Sequence, residues 1–228
     1  TDNSKINDVI DDGDLKNDLK YNYNIANFDQ FQFSQILSCE EDFILNNISL
    51  NKGIGRNKSL KENIFLLFTA LVTNIPLIII GKPGSSKSLS AQLIYKEMGG
   101  KYSRNKFFKL YPSIIQSYFQ GSDTTTPGDV DGIFEIAEGR LKELKKNNNE
   151  NIDLPISMIL FDELGLAERS KYNPLKALHS HLELDGNKHG TSFIGISNWT
   201  LDAAKINRAL TLSVPDLDSN VDDLKTTS

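Results

Sequence analysis

One short segment of the sequence combines residue types that bind phosphate groups. It runs Gly81-Lys82-Pro83-Gly84-Ser85-Ser86-Lys87-Ser88 and matches the phosphate-loop pattern G-x-x-x-x-G-K-S/T except at Ser86, where the pattern has its last glycine. Such a loop binds triphosphates because several backbone N–H groups converge there at a helix N-terminus. We therefore expect Lys87 to reach the β- and γ-phosphates and the Ser88 hydroxyl to coordinate Mg²⁺.

Ser86 is the one departure from this pattern. If its position requires a positive φ, a residue other than glycine costs about 1–2 kcal/mol there, which would weaken binding about tenfold without abolishing it. The alternative interpretation is an ordinary Gly/Ser turn between a strand and a helix. The apolar run before Gly81 and the helical pattern after Lys87 favour the phosphate loop.

A pair of carboxylates follows an apolar run later in the chain. Asp162 and Glu163 come directly after the run that ends at Phe161, and ligands of open α/β sheets bind at the carboxyl ends of such strands. We expect Asp162 to hold Mg²⁺, directly or through water, and Glu163 to polarise the water that attacks the γ-phosphate. A plain polar strand end is the alternative. The pair lies 75 residues after Lys87, with a strand and helices between, and this spacing favours the catalytic interpretation.

Two further polar residues complete the predicted site. Asn198 follows the next apolar run, where its amide could orient the attacking water. Arg208 lies ten residues later, too far along the chain to reach its own nucleotide easily. It suits an arginine finger that is offered to a neighbouring subunit and supplies a large rate factor in trans. A surface charge on a helix stays open as the alternative for Arg208.

The elements that would position these residues alternate between strands and helices. Apolar runs predict strands at 77–80, 107–110, 156–161, 191–197 and 210–214. Helical spacing predicts helices at about 60–71, 87–98, 133–144, 174–184 and 201–209, with a capping box at 59–62 and a polar, turn-rich segment at 113–131. This alternation predicts parallel β-α units in a layered α/β fold.

The charge of the chain lies mainly at its ends. The 228 residues include 25 Lys and Arg and 30 Asp and Glu, which gives a net charge of −5. Residues 1–24 and residues 215–228 each carry −3, which leaves +1 for the rest. This neutral body lacks the basic surface that nucleic acids need. A nucleic-acid motor is therefore disfavoured among the functions of such a loop, and we expect no nucleic-acid partner.

Two further observations exclude other classes of protein. The apolar run from Ile64 to Ile80 is shorter than the roughly 20 residues of a membrane span, and Asn74 and Pro76 interrupt it. We therefore expect no transmembrane segment. Cys39 is the only cysteine, which excludes a disulfide framework and indicates a reducing, cytoplasmic compartment.

Composition divides the chain into three parts. Residues 1–39 are acidic and rich in asparagine, and we predict a largely disordered segment or linker there. Residues 40–214 are predicted to form the nucleotide-binding core, and residues 215–228 an acidic tail. The chain begins at Thr1 without an initiator methionine, so we expect it to be a fragment of a larger protein.

In this order, the predicted site residues resemble the motifs of the AAA+ ATPases. Lys87 corresponds to Walker A, Asp162 and Glu163 to Walker B, Asn198 to sensor 1 and Arg208 to the arginine finger. The segments around them resemble the mysterin family of giant AAA+ ring-finger ubiquitin ligases, over about residues 40–215. The matching segments are Pro76-Leu77 with 81–89, 162–168, 174–176 with Leu178 and His179, 195–199, and Leu201, Asp202, Lys205, Asn207 and Arg208.

The resemblance implies a fold and a set of ligands. The expected fold is the three-layer sandwich of the P-loop NTPases, the AAA+ large subdomain, with a parallel five-stranded sheet. The expected cofactors are ATP and Mg²⁺. The resemblance also implies that Ser86 is acceptable in the loop, because the same Ser-Ser-Lys-Ser sequence occurs in the family. The residues implied to bind the nucleotide are Gly81, Pro83, Gly84, Ser85, Ser86, Lys87, Ser88 and Leu89, with Ser88 and Asp162 at the metal.

The resemblance also implies partners and one departure from the family. Neighbouring AAA+ units of the same chain would form a ring, and ubiquitin transfer would be carried out by other segments. AAA+ units continue into a small helical lid that bears sensor 2, whereas this sequence turns acidic at Asp216 and stops, so we expect the lid to be missing and the chain alone to be a poor ATPase. A unit that holds nucleotide without hydrolysing it, as a scaffold or switch, is the alternative.

Overall fold

The structure is a computed structural model that describes residues 30–147, 154–183 and 191–214. The chain divides into two units, Thr1–Glu40 and Glu41–Ser228. The first unit is described from residue 30 onward, where it is helical. Most of the predicted N-terminal segment and the whole acidic tail lie outside the described residues, and the three-part division stays a prediction.

The second unit is built on a five-stranded parallel sheet, as predicted. Its strands run in the order β2-β3-β4-β1-β5, and every pairing is parallel. All residues of β1 and β4 are buried, which is typical of parallel strands that are covered on both faces. The strands are β1 (Leu77–Ile80), β2 (Ile114–Gln120), β3 (Ile156–Asp162), β4 (Thr191–Ser197) and β5 (Leu210–Ser213).

Helices of the second unit cover both faces of this sheet. The described helices are α1 (Gln30–Asn46), which crosses the boundary between the units, and α2 (Lys58–Thr73), α3 (Lys87–Glu97), α4 (Pro127–Asn147), α5 (Leu164–Glu168), α6 (Leu175–Leu182) and α7 (Ala203–Ile206). Successive residues of a strand point to opposite faces. Leu77 and Ile79 of β1 accordingly pack in one apolar cluster with α2 and α3, and Ile78 and Ile80 pack in a second with α4 and α6. The result is the three-layer arrangement that was predicted.

The predicted strand at 107–110 is wrong. Phe108–Leu110 forms a short 3₁₀ helix, and Phe108 is fully buried with its ring 5.9 Å from that of Phe68. The second strand, β2, lies instead within the segment that was predicted to be polar and turn-rich. β2 is an edge strand in which only Ile114 and Ser117 are buried, so it lacks the continuous apolar run by which a central strand is recognised.

The ends of several helices differ from their predictions. α2 is capped by Asn57, whose side-chain oxygen accepts from the Leu60 backbone N–H at 2.8 Å, so the capping box predicted at 59–62 is wrong. α4 starts earlier than predicted because a capping box lies at Thr126, whose backbone N–H and hydroxyl both donate to Asp129 at 2.8 Å. α7 is shorter than the predicted helix at 201–209, and α5 was not predicted.

None of the described helices is long and apolar enough to span a membrane.

Candidate nucleotide-binding site

The carboxyl ends of three neighbouring strands border one cavity of about 450 Å³. β1 leads into the phosphate loop, β3 ends at Asp162, and β4 ends just before Asn198. The cavity therefore lies where parallel sheets bind their ligands. Its lining residues are Pro83, Gly84, Ser85, Ser86, Lys87, Ser88, Leu89, Asp162, Glu163 and Asn198.

Lys87 is the first residue of α3 and is buried, with 5% of its surface exposed. Its ammonium group donates to the backbone oxygens of Gly81 at 2.6 Å and Lys82 at 2.9 Å, and to the Ser85 hydroxyl at 3.2 Å. The ammonium group thus bridges three residues of the phosphate loop. An ammonium group has three N–H donors and no acceptor, so these three bonds use all of its donors and keep its positive charge inside the loop.

Burial lowers the pKa of Lys87 below its ordinary value. The negative charges of Asp162 and Glu163 act in the opposite direction and favour the ammonium form. Lys87 is therefore within electrostatic reach of both carboxylates. This electrostatic interaction acts across the cavity, between the phosphate loop and the acidic end of β3.

The backbone of the loop adopts two left-handed conformations. Gly84 has φ 88° and Ser86 has φ 61°, and Ser86 occupies the position where the phosphate-loop pattern has its last glycine. The positive φ that was considered for Ser86 is therefore observed. Gly81 is required for a different reason, because a Cβ atom there would lie 2.9 Å from the Ser85 hydroxyl oxygen and 3.0 Å from the Val214 Cβ atom.

Several backbone N–H groups of the loop have no backbone partner. Within the described part of the chain, no backbone carbonyl accepts from the amides of Gly84, Ser86, Lys87 or Ser88. Unpaired amides at the start of a helix form an electropositive concavity that suits anions.

The acidic residues are held by different contacts. The Asp162 carboxylate accepts from the Glu163 backbone N–H at 2.9 Å. Glu163 has a left-handed backbone, φ 52°, at the N-terminus of α5. The Asn198 side-chain amide donates to both Glu163 carboxylate oxygens, at 2.9 and 3.1 Å. The structure therefore brings Asn198 to the Asp162–Glu163 pair, as expected for residues at the ends of two different strands.

Glycines allow α5 to lie directly against the strand ends. A Cβ atom at Gly121, just after β2, would lie 2.6 Å from the Glu163 backbone oxygen. A Cβ atom at Gly165 would lie 2.6 Å from the indole ring of Trp199, which also stacks on the Arg169 guanidinium at 4.4 Å. Side chains at these two positions would displace the turn that orients Glu163.

Sequence reasoning missed Tyr118 because it missed β2. Tyr118 lies two residues before Gln120, which pairs with Asp162 across the sheet. Partial burial raises the pKa of the Tyr118 phenol, and the charges of Asp162 and Glu163 and a hydrogen bond with Asp162 raise it further. The β-branched and aromatic residues of this segment, Ile114-Ile115 and Tyr118-Phe119, are of types enriched in strands, and they were the signal that could have revealed it.

Arg208 lies apart from the other predicted site residues. It does not line the cavity, and its guanidinium pairs with the Glu183 carboxylate at 2.9 Å.

The donors at the predicted metal position suit magnesium. Ser88 and Asp162 both line the cavity and offer oxygen ligands. Mg²⁺ is commonly bound through one or two protein oxygens, with water and phosphate oxygens in its remaining positions. The described residues contain no group of three or more His, Cys, Asp or Glu side chains that could hold a metal ion.

Comparison with known proteins identifies the family. A family model described as the RNF213 AAA domain matches residues 53–221. The chain belongs to the RNF213 AAA domain family. This membership confirms the predicted resemblance to giant ring-finger ubiquitin ligases.

Relatives of the RNF213 AAA domain family cover most of this chain. The E3 ubiquitin-protein ligase rnf213-beta of Danio rerio is 38% identical over 186 residues, which are 78% of this chain and 4% of that protein. The E3 ubiquitin-protein ligases RNF213 of Homo sapiens and Mus musculus are 34% and 35% identical over 180 and 182 residues, which are 76% of this chain and 3% of each protein. The chain thus spans only a few per cent of these relatives' length.

Proposed function

We propose that the chain is an AAA+ module that binds and hydrolyses Mg-ATP within an RNF213-like E3 ubiquitin-protein ligase. The observation that carries this proposal is the shared cavity, in which Lys87 and the carboxylates of Asp162 and Glu163 border the same space. A loop amide cluster and a lysine bind the phosphates of a nucleotide, and an acidic strand end supplies a metal ligand and a base.

Binding would depend on charge and on backbone donors. The triphosphate would accept from the unpaired loop amides, and the Lys87 ammonium would exchange its loop carbonyls for phosphate oxygens. Ser88 and Asp162 would hold Mg²⁺, which when bound neutralises charge on the β- and γ-phosphates. Pro83, Gly84, Ser85, Ser86 and Leu89 would line the path of the nucleotide.

Hydrolysis would depend on Glu163 and Asn198. The Glu163 carboxylate would accept a proton from a water molecule as its oxygen attacks the γ-phosphorus, and the bond from phosphorus to the bridging oxygen would break, leaving ADP and phosphate. Asn198 would orient the carboxylate and the water. We further propose that Arg208 acts on the nucleotide of a neighbouring AAA+ unit in a ring, because it lies outside its own cavity.

The larger context is part of the same proposal. Ubiquitin transfer, the activity in the names of the relatives, would belong to other segments of such a ligase. The single cysteine, Cys39, which is free and exposed, supports a cytoplasmic location.

A nucleotide-holding unit without turnover is the second candidate. It is favoured by Ser86, whose left-handed backbone strains the loop at the position of a missing glycine. Phosphate release that is lost in Glu163→Gln would exclude this candidate, whereas tight Mg-ATP binding without phosphate release would support it.

The test of the proposed function is a calorimetric titration of the chain with ATP in the presence and absence of Mg²⁺. We expect one site, with affinity that falls in Lys87→Met because the variant lacks the ammonium group. Glu135→Gln, on the exposed face of α4, serves as a control that should bind normally. Absence of heat on titration into folded chain would contradict the proposal.

A further inference from the structure

Asn63 is a polar residue in the buried face of an apolar helix. It lies in α2 among Leu60, Ile64 and Leu67, and its exposure is 0%. A buried amide is unfavourable unless its donors and acceptors are paired. Asn63 is paired only in part, because its Oδ1 atom has no hydrogen-bond partner among the described residues. An apolar side chain would suit this helix better, so stability alone does not account for the asparagine.

Among the described residues, the side-chain hydrogen bond of Asn63 leads to the phosphate loop. Asn63 Nδ2 donates to the backbone oxygen of Ser85 at 2.9 Å, in a buried bond between residues 22 apart in the chain. α2 is thereby joined to the loop immediately before α3.

This bond fixes the direction of the next amide. The described peptide bonds are all trans, and in a trans peptide the C=O and N–H groups point in opposite directions. With the Ser85 carbonyl turned toward α2, the Ser86 N–H points away from it. Ser86 lines the cavity, and no described backbone carbonyl accepts from its N–H.

We infer that Asn63 is a positioning residue that holds the Ser86 N–H toward the phosphate of a bound nucleotide. The inference rests on the proposed nucleotide-binding function and adds a residue outside the loop itself. A serine adopts a left-handed backbone less readily than a glycine does. A hydrogen bond that restrains the peptide between Ser85 and Ser86 would therefore help to keep Ser86 in this conformation. The restraint leaves the Asn63 Oδ1 atom buried without a hydrogen-bond partner among the described residues, which is unfavourable for stability.

The experiment compares Asn63→Leu with Ile64→Val by Mg-ATP calorimetry and by denaturant unfolding. Asn63→Leu removes both the donor and the unpaired oxygen and keeps the number of non-hydrogen atoms, whereas Ile64→Val, one residue along α2, removes a methyl group that is buried in the apolar cluster. We expect Asn63→Leu to weaken Mg-ATP binding about tenfold. Ile64→Val should lower the free energy of unfolding and leave the affinity unchanged.

The outcomes separate this inference from the proposed function. Equal affinity in Asn63→Leu and the unsubstituted chain overturns the inference alone. If the unsubstituted folded chain does not bind Mg-ATP, the proposed function fails and the inference fails with it. Asn63→Val provides a second variant, because its side chain has no donor for the Ser85 carbonyl. It should show the same loss, and unchanged binding in folded Asn63→Val also overturns the inference.

Discussion

The side-chain amide of Asn198 donates to both carboxylate oxygens of Glu163, at 2.9 and 3.1 Å. The two residues follow adjacent parallel strands, β3 and β4, so the sheet itself determines their separation. The bond restrains the carboxylate of a residue whose own backbone is left-handed. The carboxylate that we propose as the base therefore has a defined direction at the edge of the cavity.

Glu163→Gln should abolish turnover and preserve binding. The amide cannot accept a proton from water, so we expect phosphate release to fall by about 10²-fold or more. Glutamine has the same shape, and Asn198 can turn its amide to present its oxygen instead, so Mg-ATP affinity measured by calorimetry should stay within about twofold. Glu135→Gln is the matched control on α4. Phosphate release at the unsubstituted rate in Glu163→Gln would remove Glu163 from the mechanism.

Ser86→Gly should stabilise the chain. The φ of 61° at Ser86 is unfavourable for any residue with a Cβ atom, and the net gain with glycine should be about 1 kcal/mol. Gln92→Gly is the control, because Gln92 is exposed in the right-handed backbone of α3, where glycine should destabilise by a similar amount. Denaturant unfolding measures both. A loss of stability in Ser86→Gly would show that the serine side chain has a stabilising contact that outweighs the strain.

Gly121→Ala should reduce turnover more than binding. Its Cβ atom would lie 2.6 Å from the Glu163 backbone oxygen, so the turn that carries Glu163 must move. A displacement of a reacting group by about 1 Å can lower the rate of catalysis about 10²-fold. The control is Gly132→Ala in α4, where a Cβ atom meets nothing within 4 Å and should stabilise the helix by about 0.5–1 kcal/mol. Phosphate release and calorimetry distinguish the two effects, and equal kinetics in both variants would contradict the positioning role of Gly121.

The stability of the nucleotide-free chain should depend on Lys87 at alkaline pH. Because burial lowers the pKa of Lys87 below its ordinary 10.5, the unfolded chain binds more protons at this residue between the lowered pKa and 10.5. Stability therefore rises with pH across that window. We expect the free energy of unfolding to rise relative to that of Lys87→Met as the pH approaches 10.5. Parallel pH profiles for the two proteins would contradict the burial of the charge.

The sequence predicted best the elements that are buried on both faces. β1, β3 and β4 are buried along almost their whole length and each contains a run of apolar residues, so their bounds were predicted to within one residue. The residues at their ends could therefore be assigned to one edge of the sheet. β2 was missed because polar residues interrupt its apolar ones, and the aromatic pair at 107–108 presented a stronger apolar signal. In the structure, Phe107 and Phe108 pack in a cluster of aromatic rings. This cluster depends on tertiary packing, which the local sequence does not predict.

Contacts between distant residues explain the remaining differences at the site. The hydrogen bonds between Glu163 and Asn198 form because β3 and β4 are neighbours in the sheet. The spacing of the motifs along the sequence does not by itself predict which strands are neighbours. Asn63 has no local signature, because its partner is 22 residues away and the helix around it is apolar. The capping of α2 by Asn57 was missed, because the spacing of Ser59 and Glu62 matches a capping box, whereas in the structure Ser59 lies buried inside the helix.

The place of β1 in the sheet has a consequence for the order of assembly. β1 lies between β4 and β5, whose residues begin more than 100 positions later in the chain. During synthesis, the strand that leads into the loop therefore has no hydrogen-bonded neighbour until almost the whole unit has left the ribosome. Sheets joined by such distant pairings fold slowly, so the nucleotide that we propose for this site would stabilise the unit only late in its synthesis. Truncation before residue 191 would leave the loop without the two strands that pair with β1.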